Sequence, residues 1–543
     1  MASEAATSNP GGPKAGPGLR GADIEVVADG RRLLGPVDIG VDPGELVAVI
    51  GPSGAGKTTL LRALAGVTGL SAGAVTLDAE PIAAVARRVG FLPEHSTVHS
   101  LLTVREALRY TVALRRPDLE AVDSRHIEEV LAELNLTARG DARLSELSRG
   151  ERKRAEVAVE LISDPEILLL DEPGTGLDPG LSRRLMLTLR AIADRGRGIC
   201  LITHETRSLE FCDRLVVMAP GGSVAYDGTP AGAIAFFGVR DHGEIYDLLA
   251  EEEEGGEEPV EGEIRLERAP LALDQPFGRQ AALLAERDFT LLRRDRRTLT
   301  VLIAQAPVIG LLVGLVLPTN VLADPSLAGF NGVLLTFMIL IGAIFLGVVT
   351  TARSIIGEFD VLERETVAGV RTDAYVAAKA LVAFPLIAIQ AASLFAVTVL
   401  LQPLASPPSA YIQVLGLVIF TGIAAGAMGL ALSARVSTVG QATAAVPLLL
   451  VPQILFAGAI VPVAVMPPLV SLIPILSIAR WGLSSAGNVL DLANGVAGEV
   501  SSVAGYDPAF FEAPAGIGVI VLFGATVFAL SLAIGGLNRR LIG

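Results

Sequence analysis

The fold is decided by the stretch Gly51-Pro52-Ser53-Gly54-Ala55-Gly56-Lys57-Thr58-Thr59. It follows five apolar residues, 46–50, that predict a buried parallel strand, and it precedes residues 60–64, which have helical periodicity. A glycine loop between a strand and a helix is the context in which a G-x-x-x-x-G-K-[ST] sequence binds phosphate. Glycines let backbone N–H groups crowd around phosphate oxygens, and the helix start contributes about half a positive charge. The stretch therefore predicts a site for ATP or GTP.

Within this loop, Lys57 can reach the β- and γ-phosphates, and Thr58 offers a hydroxyl to Mg²⁺. The only other lysines of the chain are Lys14, Lys153 and Lys379, against a large excess of arginine. A lysine retained where arginine is the habitual cation indicates that the compact ammonium is needed. The predicted nucleotide-binding residues of the loop are Gly51, Ser53, Gly54, Ala55, Gly56, Lys57, Thr58 and Thr59.

Composition predicts more than one domain and a membrane-embedded half. The chain has 543 residues, of which 51% are hydrophobic, and its mean hydropathy of +0.55 is too high for an ordinary soluble protein. A pI near 5.0 and a net charge of −15 argue against a nucleic-acid partner. The two cysteines, Cys200 and Cys212, imply no disulfide framework. Residues 1–21, rich in Gly, Pro, Ala and Ser, are expected to form a disordered leader.

Residues 22–240 alternate short apolar strands with helices, as expected of a P-loop α/β domain. An apolar strand ends in Asp171 and Glu172, the Walker B pattern. Asp171 can hold Mg²⁺, and Glu172 can orient or deprotonate the attacking water. A loop at 175–178 follows, and a further apolar strand at 199–203 leads to His204.

Taken in order, these motifs resemble the nucleotide-binding domain of an ATP-binding cassette (ABC) transporter. The run 147–151, Leu-Ser-Arg-Gly-Glu, resembles the ABC signature, Asp178 the D-loop aspartate and His204 the switch histidine. The resemblance implies that each ATP lies between the Walker A loop of one domain and the signature of another. Ser148 and the N–H of Gly150 would then contact a γ-phosphate held by the partner. Lys57, Glu172 and His204 are the implied catalytic residues.

Two residues depart from the family pattern. Glu94 stands where the Q-loop has glutamine; a carboxylate can still bind Mg²⁺ or a water, but it adds negative charge beside Asp171 and Glu172. Slower hydrolysis or altered coupling is therefore expected. Arg149 replaces a usual glycine of the signature, although Gly150 is retained.

The stretches 101–106 and 151–154 resemble the G subfamily, the white and multidrug half-transporters, whose cassette precedes the membrane domain. Residues 241–275 are rich in glutamate, and a solvated, self-repelling linker is favoured over a regulatory or cation-binding tail. Residues 276–298 predict an amphipathic connecting helix that ends in arginines suited to anionic headgroups at the cytoplasmic surface.

Residues 299–543 predict a transmembrane domain of six spans, each of roughly 20 residues. The predicted spans are 299–317, 330–350, 375–401, 412–433, 443–465 and 516–537. Basic residues collect in the loops on one side and acidic residues on the other, where Arg480 is the sole basic residue. The positive-inside rule therefore predicts that the cassette and both termini are cytoplasmic.

Several features of the membrane half have predicted roles. Residues 358–365 resemble the coupling helix of the G subfamily, and residues 477–482 resemble its re-entrant segment. The pairs Gly310/Gly314 and Gly422/Gly426 predict close helix packing. For the buried glutamines, either interhelical hydrogen bonds or contact with a substrate path is open. They are Gln305, Gln390 and Gln453.

The sequence thus predicts an α/β P-loop ABC nucleotide-binding domain followed by an all-α, six-helix domain of the ABC2 exporter type. One cassette and six spans make a half-transporter, so a homodimer is the simplest assembly, with a heterodimer as the alternative. The expected function is ATP- and Mg²⁺-dependent export of a hydrophobic or amphipathic compound or lipid across the cytoplasmic membrane of a bacterium. Expected partners are a second half-transporter and membrane lipids. An ATP-gated membrane regulator that moves no substrate is the alternative hypothesis.

Overall fold

The computed structural model describes residues 17–28, 30–94, 98–116, 124–251, 275–318, 328–367, 369–404, 406–496 and 505–542. The chain divides into two compact units. The first comprises residues 1–276, 360–370 and 541–543, and the second comprises residues 277–359 and 371–540. Nearly all of the predicted leader and most of the predicted acidic linker lie outside the described residues.

The first unit contains two sheets. Its strands are β1 (Leu19–Ala28), β2 (Arg31–Val41), β3 (Leu46–Ile50), β4 (Ala72–Leu77), β5 (Glu80–Pro81), β6 (Val89–Leu92), β7 (Ile167–Asp171), β8 (Gly198–Ile202), β9 (Arg214–Met218) and β10 (Val224–Gly228). Strands β2-β1-β4-β5 form an antiparallel sheet. Strands β10-β9-β3-β8-β7-β6 form a second sheet that is parallel except for β10.

Helices surround the second sheet, as an α/β layer arrangement requires. They are α1 (Lys57–Leu64), α2 (Ile82–Val85), α3 (Val104–Arg115), α4 (Ser124–Glu133), α5 (Arg149–Leu161), α6 (Pro179–Ala193), α7 (Pro230–Phe237) and α8 (Glu244–Glu251). Every residue of β3, β7 and β8 is buried, which explains their continuous apolar sequences. Because these strands are parallel, their carboxyl ends meet at one edge of the sheet. The loops that carry the predicted catalytic residues start at that edge.

The segment predicted to be a coupling helix packs in this first unit. Helix α12 (Phe359–Val367) contributes Glu363, which accepts a hydrogen bond of 2.9 Å from Arg62 of α1. Arg364 lies 3.6 Å from Glu160 of α5, whose carboxylate also accepts hydrogen bonds of 2.7 and 3.2 Å from Arg115 of α3. Glu160 is 1% exposed. The prediction that residues 358–365 dock on the cassette is confirmed for the residues of α12.

The second unit is helical. Its helices are α9 (Phe277–Arg294), α10 (Arg296–Val316), α11 (Ala328–Thr351), α13 (Thr372–Leu401), α14 (Pro408–Ser433), α15 (Val439–Leu455), α16 (Ile478–Val489), α17 (Leu492–Val496) and α18 (Ala515–Ile542). Among the described residues, α10, α11, α13, α14 and α18 are long and apolar enough to cross a membrane. These five helices match five of the predicted spans. The amphipathic α9 matches the predicted connecting helix, and Asp295 caps the start of α10.

The predicted span at 443–465 is wrong in its bounds. Helix α15 has 17 residues and ends at Leu455, so it is about 25 Å long, short of the roughly 30 Å core of a bilayer. It is followed by short 3₁₀ turns and by α16, which is bent by 81° relative to the turn before it. A bend of this size is found both in broken spans and in re-entrant loops, so the re-entrant character of residues 477–482 stays a prediction. Apolar composition alone could not show where the helix stops.

Small residues bring the helices of the second unit close together, as predicted. A Cβ at Gly310 would lie 2.6 Å from the carbonyl oxygen of Leu394, and one at Gly314 would lie 2.7 Å from Leu401. Between α11 and α14, a Cβ at Gly347 would collide with the carbonyl oxygen of Gly422. The backbones of α11 and α14 are therefore in direct contact.

Two of the three glutamines make interhelical hydrogen bonds. Gln390 of α13 donates to the carbonyl of Leu302 at 2.6 Å and accepts from Thr350 at 3.1 Å. Gln453 of α15 accepts from the hydroxyl of Ser477 at 2.9 Å and from the backbone N–H of Ala479 at 3.2 Å. The prediction of interhelical hydrogen bonds is therefore supported for Gln390 and Gln453.

We predict that Gly347→Ala destabilises the protein by about 1–3 kcal/mol, because the backbone that the new methyl meets cannot move aside. Gly416→Ala is the matched control, since nothing lies within 4 Å of a Cβ at that position on α14. There the usual helix preference for alanine should leave stability unchanged or raise it by up to about 1 kcal/mol. Thermal unfolding in one lipid or detergent tests both variants, and equal midpoints would contradict the backbone contact.

Candidate functional site

The predicted phosphate loop has the backbone that its glycines permit. Gly51 has φ of 150°, and a side chain there would collide with the carbonyl of Met218 on the neighbouring strand. Gly56 has φ of 79° at the N-cap of α1. Ser53, Gly54 and Thr58 are exposed, whereas Ala55 is buried and Thr59 is half-buried. The loop therefore presents its backbone and the start of α1 to solvent, the arrangement that binds anions.

Lys57 lies inside the loop. It is 8% exposed, and its Nζ donates hydrogen bonds to the carbonyls of Gly51 at 2.8 Å and Pro52 at 2.6 Å. Burial lowers the pKa of Lys57, while the negative charges of Glu172 and Asp171 act in the opposite direction. Its ammonium is therefore held between carbonyl oxygens and close to both Walker B carboxylates.

Asp171 ends strand β7 and is 2% exposed. Burial raises the pKa of Asp171, a hydrogen bond with the hydroxyl of Thr58 lowers it, and the charges of Glu172 and Glu94 raise it further. Glu94 follows β6, the edge strand next to β7, and lines a cavity of about 250 Å³ with Thr58 and Asp171. The structure thus brings together the three side chains predicted to bind metal.

Glu172 and His204 come from the ends of adjacent strands. Nε2 of His204 lies 2.7 Å from Oε1 of Glu172, while Oε2 of Glu172 accepts a hydrogen bond of 2.6 Å from Thr175. Glu172 has φ of 47°, an uncommon backbone conformation for a residue with a side chain. His204 is 49% exposed at its side chain, so the pair is open to solvent. The predicted general base and switch histidine are in direct contact.

The signature and D-loop residues serve as helix caps. The hydroxyl of Ser148 accepts from the N–H of Glu151 at 3.3 Å and donates to its carboxylate at 2.9 Å. These contacts lower the pKa of Glu151, the backbone N–H of Ser148 having the largest effect. Asp178 caps α6 through the N–H of Leu181 at 3.0 Å, and Gly150 is buried. We call Lys57, Asp171, Glu172 and His204 the Lys57 cluster. Among the described residues, the signature and D-loop residues make no hydrogen bond or ion pair with this cluster; they are Ser148, Gly150 and Asp178.

Tyr246 of α8 is a site residue that the sequence motifs missed. Its hydroxyl donates to the carbonyl of Thr203 at 3.3 Å and accepts from the backbone N–H of Gly51. Its ring centroid lies 6.0 Å from that of His204. Burial raises the pKa of Tyr246 to about 12, so the hydroxyl stays protonated at neutral pH. It therefore ties the loop before His204 to the start of the phosphate loop. The motifs could not predict this residue, because it does not lie at a fixed spacing from any of them.

The residues present fit a nucleotide with Mg²⁺. The exposed loop N–H groups and the start of α1 suit phosphate oxygens. Thr58, Asp171 and Glu94 supply the oxygen donors that Mg²⁺ takes in phosphate sites, where one or two carboxylates suffice. No group of three or more His, Cys, Asp or Glu side chains in the described ranges forms a metal site by itself.

The fold and this arrangement define a P-loop nucleotide triphosphatase. Two family models match the chain: "ABC transporter" over residues 34–175 and "ABC-2 type transporter" over residues 279–489.

Three relatives extend these matches. An ABC transporter ATP-binding/permease protein of Mycobacterium tuberculosis is 32% identical over 89% of this chain and 58% of its own length. A Nod factor export ATP-binding protein I of Burkholderia pseudomallei is 36% identical over 46% of this chain and 79% of its own. ABC transporter G family member 21 of Arabidopsis thaliana is 37% identical over 38% of this chain and 32% of its own. The chain thus spans less than two thirds of the mycobacterial relative.

The chain belongs to the ABC transporter family. Its first unit contains an ABC ATPase domain, and its second contains a membrane-integral domain of the ABC-2 type. The resemblance to half-transporters whose cassette precedes the membrane domain, with relatives in the G family, is confirmed.

We predict that Tyr246→Phe lowers kcat for ATP hydrolysis several-fold, because the hydroxyl no longer holds the loop before His204 against Gly51. The matched control is Tyr226→Phe, which removes a hydroxyl bonded to the carbonyl of Thr229 at 2.8 Å elsewhere in the same unit. Each change should cost about 1 kcal/mol of stability. Steady-state ATPase and thermal unfolding are measured together; a fall in kcat that is the same in both variants would contradict a positional role for Tyr246.

Proposed function

We propose that two copies of this chain form a homodimer that exports a hydrophobic or amphipathic compound or lipid across the cytoplasmic membrane, driven by ATP hydrolysis. The observation that carries the proposal is the contact of Glu172 with His204 beside Lys57 and Asp171, in a chain whose described residues also include five helices long and apolar enough to cross a membrane. A hydrolytic site and a membrane domain in one chain link nucleotide turnover to movement in the bilayer.

In the proposed hydrolysis, the γ-phosphoryl group of ATP is transferred to water. Glu172 accepts the hydrogen bond and then the proton of the attacking water, while His204, 2.7 Å away, keeps that carboxylate oriented. Lys57 and the loop N–H groups would stabilise the charge that develops on the β- and γ-phosphates. Mg²⁺ held by Thr58 and Asp171, with Glu94 nearby, would neutralise charge on the phosphate oxygens.

The positions of the signature residues support the proposal of a second copy. Ser148 is exposed and caps α5, and none of the described contacts joins it to the Lys57 cluster. In the family, the signature closes over a nucleotide held by another cassette. In one half-transporter, the phosphate loop therefore needs a signature from another chain, and the signature needs a nucleotide held by another chain. Two identical chains would provide both.

Coupling is proposed to pass through the carboxylate of Glu160. Helix α5 starts at the signature and carries Glu160 in its last turn, where Arg115 of α3 and Arg364 of α12 share it. Closure of the signature onto ATP would move α5 and, through this buried ion cluster, α12. A buried carboxylate that loses its cations is strongly destabilised, so the three elements should move together.

Export, rather than import, is supported by the ABC-2 type membrane domain and by the name of the Nod factor export relative. The proposed orientation rests on the positive-inside rule, since arginines 293, 294, 296 and 297 flank the start of α10 and arginines 539 and 540 lie in the last turn of α18. The scarcity of charge in the long helices favours an apolar or amphipathic cargo. ATP-dependent uptake of such a compound into inverted vesicles tests this directly.

We predict that Glu172→Gln abolishes ATP turnover, with at least a hundredfold loss in kcat, and leaves ATP binding intact, because the amide cannot accept the proton. The matched control is Glu210→Gln, a carboxylate 63% exposed at its side chain on the same unit. Mg²⁺-dependent ATPase in lipid nanodiscs and equilibrium ATP binding measure the two properties. Turnover that survives in Glu172→Gln would exclude this residue as the base.

We predict that Glu94→Gln raises the Mg²⁺ concentration for half-maximal ATPase several-fold and raises kcat at saturating Mg²⁺. The substitution removes a negative charge that is close enough to Asp171 to raise its pKa. Fewer carboxylates hold Mg²⁺ less tightly, while less negative charge opposes the approach of phosphate. Mg²⁺ titrations of the ATPase, with Glu210→Gln as control, test this; unchanged Mg²⁺ dependence would show that Glu94 does not contribute to metal binding.

A further inference from the structure

Arg480 is the only basic residue between Arg435 and Arg539. It lies in the first turn of α16, whose buried residues include Ile478, Ala479 and Gly482 to Gly487. Gly482 packs against Thr421 and Leu340, each near the middle of its own helix, so α16 is enclosed by the membrane helices. Arg480 itself is half-buried at the start of this helix, and a cation within a membrane domain is costly and usually functional. The first turn of a helix adds to the cost, because the helix end is itself positive.

Among the described residues, the guanidinium of Arg480 has no carboxylate within ion-pair distance and no hydrogen-bond acceptor; its side-chain contacts are aromatic. It lies over the ring of Trp481 at 5.3 Å and that of Phe510 at 5.9 Å. Contacts with ring faces leave the five in-plane N–H donors of an arginine without acceptors. Of the carboxylates described in this region, Asp491 accepts two hydrogen bonds from the side chain of Asn494, Asp507 accepts one from the backbone N–H of Ala509, and Glu512 is exposed.

The aromatic frame is fixed before any ligand arrives. Nε1 of Trp481 donates to the carbonyl of Ile475 at 2.8 Å, which holds the indole against the turn before α16. Phe510 packs edge-on against Phe511 at 4.9 Å, and the carbonyl of Phe511 accepts a hydrogen bond of 3.0 Å from Asn488 of α16. A cation held between two restrained rings with its donors free is preorganised for an oxyanion.

We propose that Arg480, Trp481 and Phe510 form a binding site for the anionic group, a phosphate or carboxylate, of an amphipathic molecule. The amphipathic body is indicated by the neighbouring turn, where Ile475 and Leu476 expose apolar side chains. Arginine suits the anionic group because its planar donors bind two oxygens at once. The ligand with this chemistry is either a transported anionic amphiphile or a membrane lipid that stays bound. Only the first of these two alternatives rests on the proposed export function.

The test uses the full chain in detergent micelles, titrated with phosphatidylglycerol or with phosphatidylcholine of the same acyl chains, and bound lipid is counted by native mass spectrometry. Wild type should prefer phosphatidylglycerol, and Arg480→Gln should bind it roughly tenfold more weakly with no change toward phosphatidylcholine. Arg480→Lys should keep part of the preference, and it carries the test if the glutamine variant does not fold. The matched control is Arg539→Gln, which removes one exposed cation from α18.

Equal phosphatidylglycerol affinity in wild type and Arg480→Gln, or an equal loss in Arg539→Gln, overturns the proposal. This arm needs no ATP, so its result is independent of whether the protein exports anything. A second arm follows fluorescent phosphatidylglycerol in proteoliposomes with ATP. Movement that is lost in Arg480→Gln identifies the site's occupant as cargo, whereas Arg480-dependent binding without movement identifies a resident lipid headgroup.

Discussion

The site depends on the parallel pairing of β3, β7 and β8, which brings the carboxyl ends of three buried strands to one edge of a sheet. The phosphate loop follows β3, Asp171 ends β7 with Glu172 directly after it, and His204 comes two residues after β8. These three segments are far apart in sequence, and the hydrogen-bonded register of the strands sets the spacing between them. Because parallel strands buried on both faces must be apolar, the same constraint explains why the site residues come at or shortly after the ends of short apolar runs.

Charge management is the second constraint on this site. Lys57 is buried and satisfied by two carbonyls, while Asp171, Glu172 and Glu94 bring their negative charges close together. Burial raises the pKa of Asp171 most, and the negative charges of Glu172 and Glu94 raise it further. The carboxylates of this site therefore repel one another. A bound divalent cation would relieve the repulsion, and the additional carboxylate at Glu94 makes that relief larger here than a glutamine would.

Local patterns carried much of the sequence-based prediction because the decisive residues are adjacent in sequence. The loop from Gly51 to Thr59, the strand ending at Asp171 and the cap at Ser148 each form from neighbours, so spacing was sufficient to find them. The sequence did not predict Tyr246 as a site residue, because its role depends on a tertiary contact with Gly51, almost two hundred residues earlier. The sequence did not predict where α15 ends, because apolar residues continue past Leu455. Hydropathy carries no information on where the backbone hydrogen bonds of a helix stop.

The backbone contact between α11 and α14 has a mechanical consequence. Two helices packed so closely that a methyl group at Gly347 would collide with the backbone of the other have little room for side-chain rearrangement at that point, so sliding or rotation would require them to separate first. We expect α11 and α14 to move together as one rigid body. By contrast, α15 contains two prolines that interrupt its hydrogen-bond ladder, and most of its surface is exposed or half-exposed. Within this unit, compliance is therefore concentrated in α15, and stiffness in the pair formed by α11 and α14.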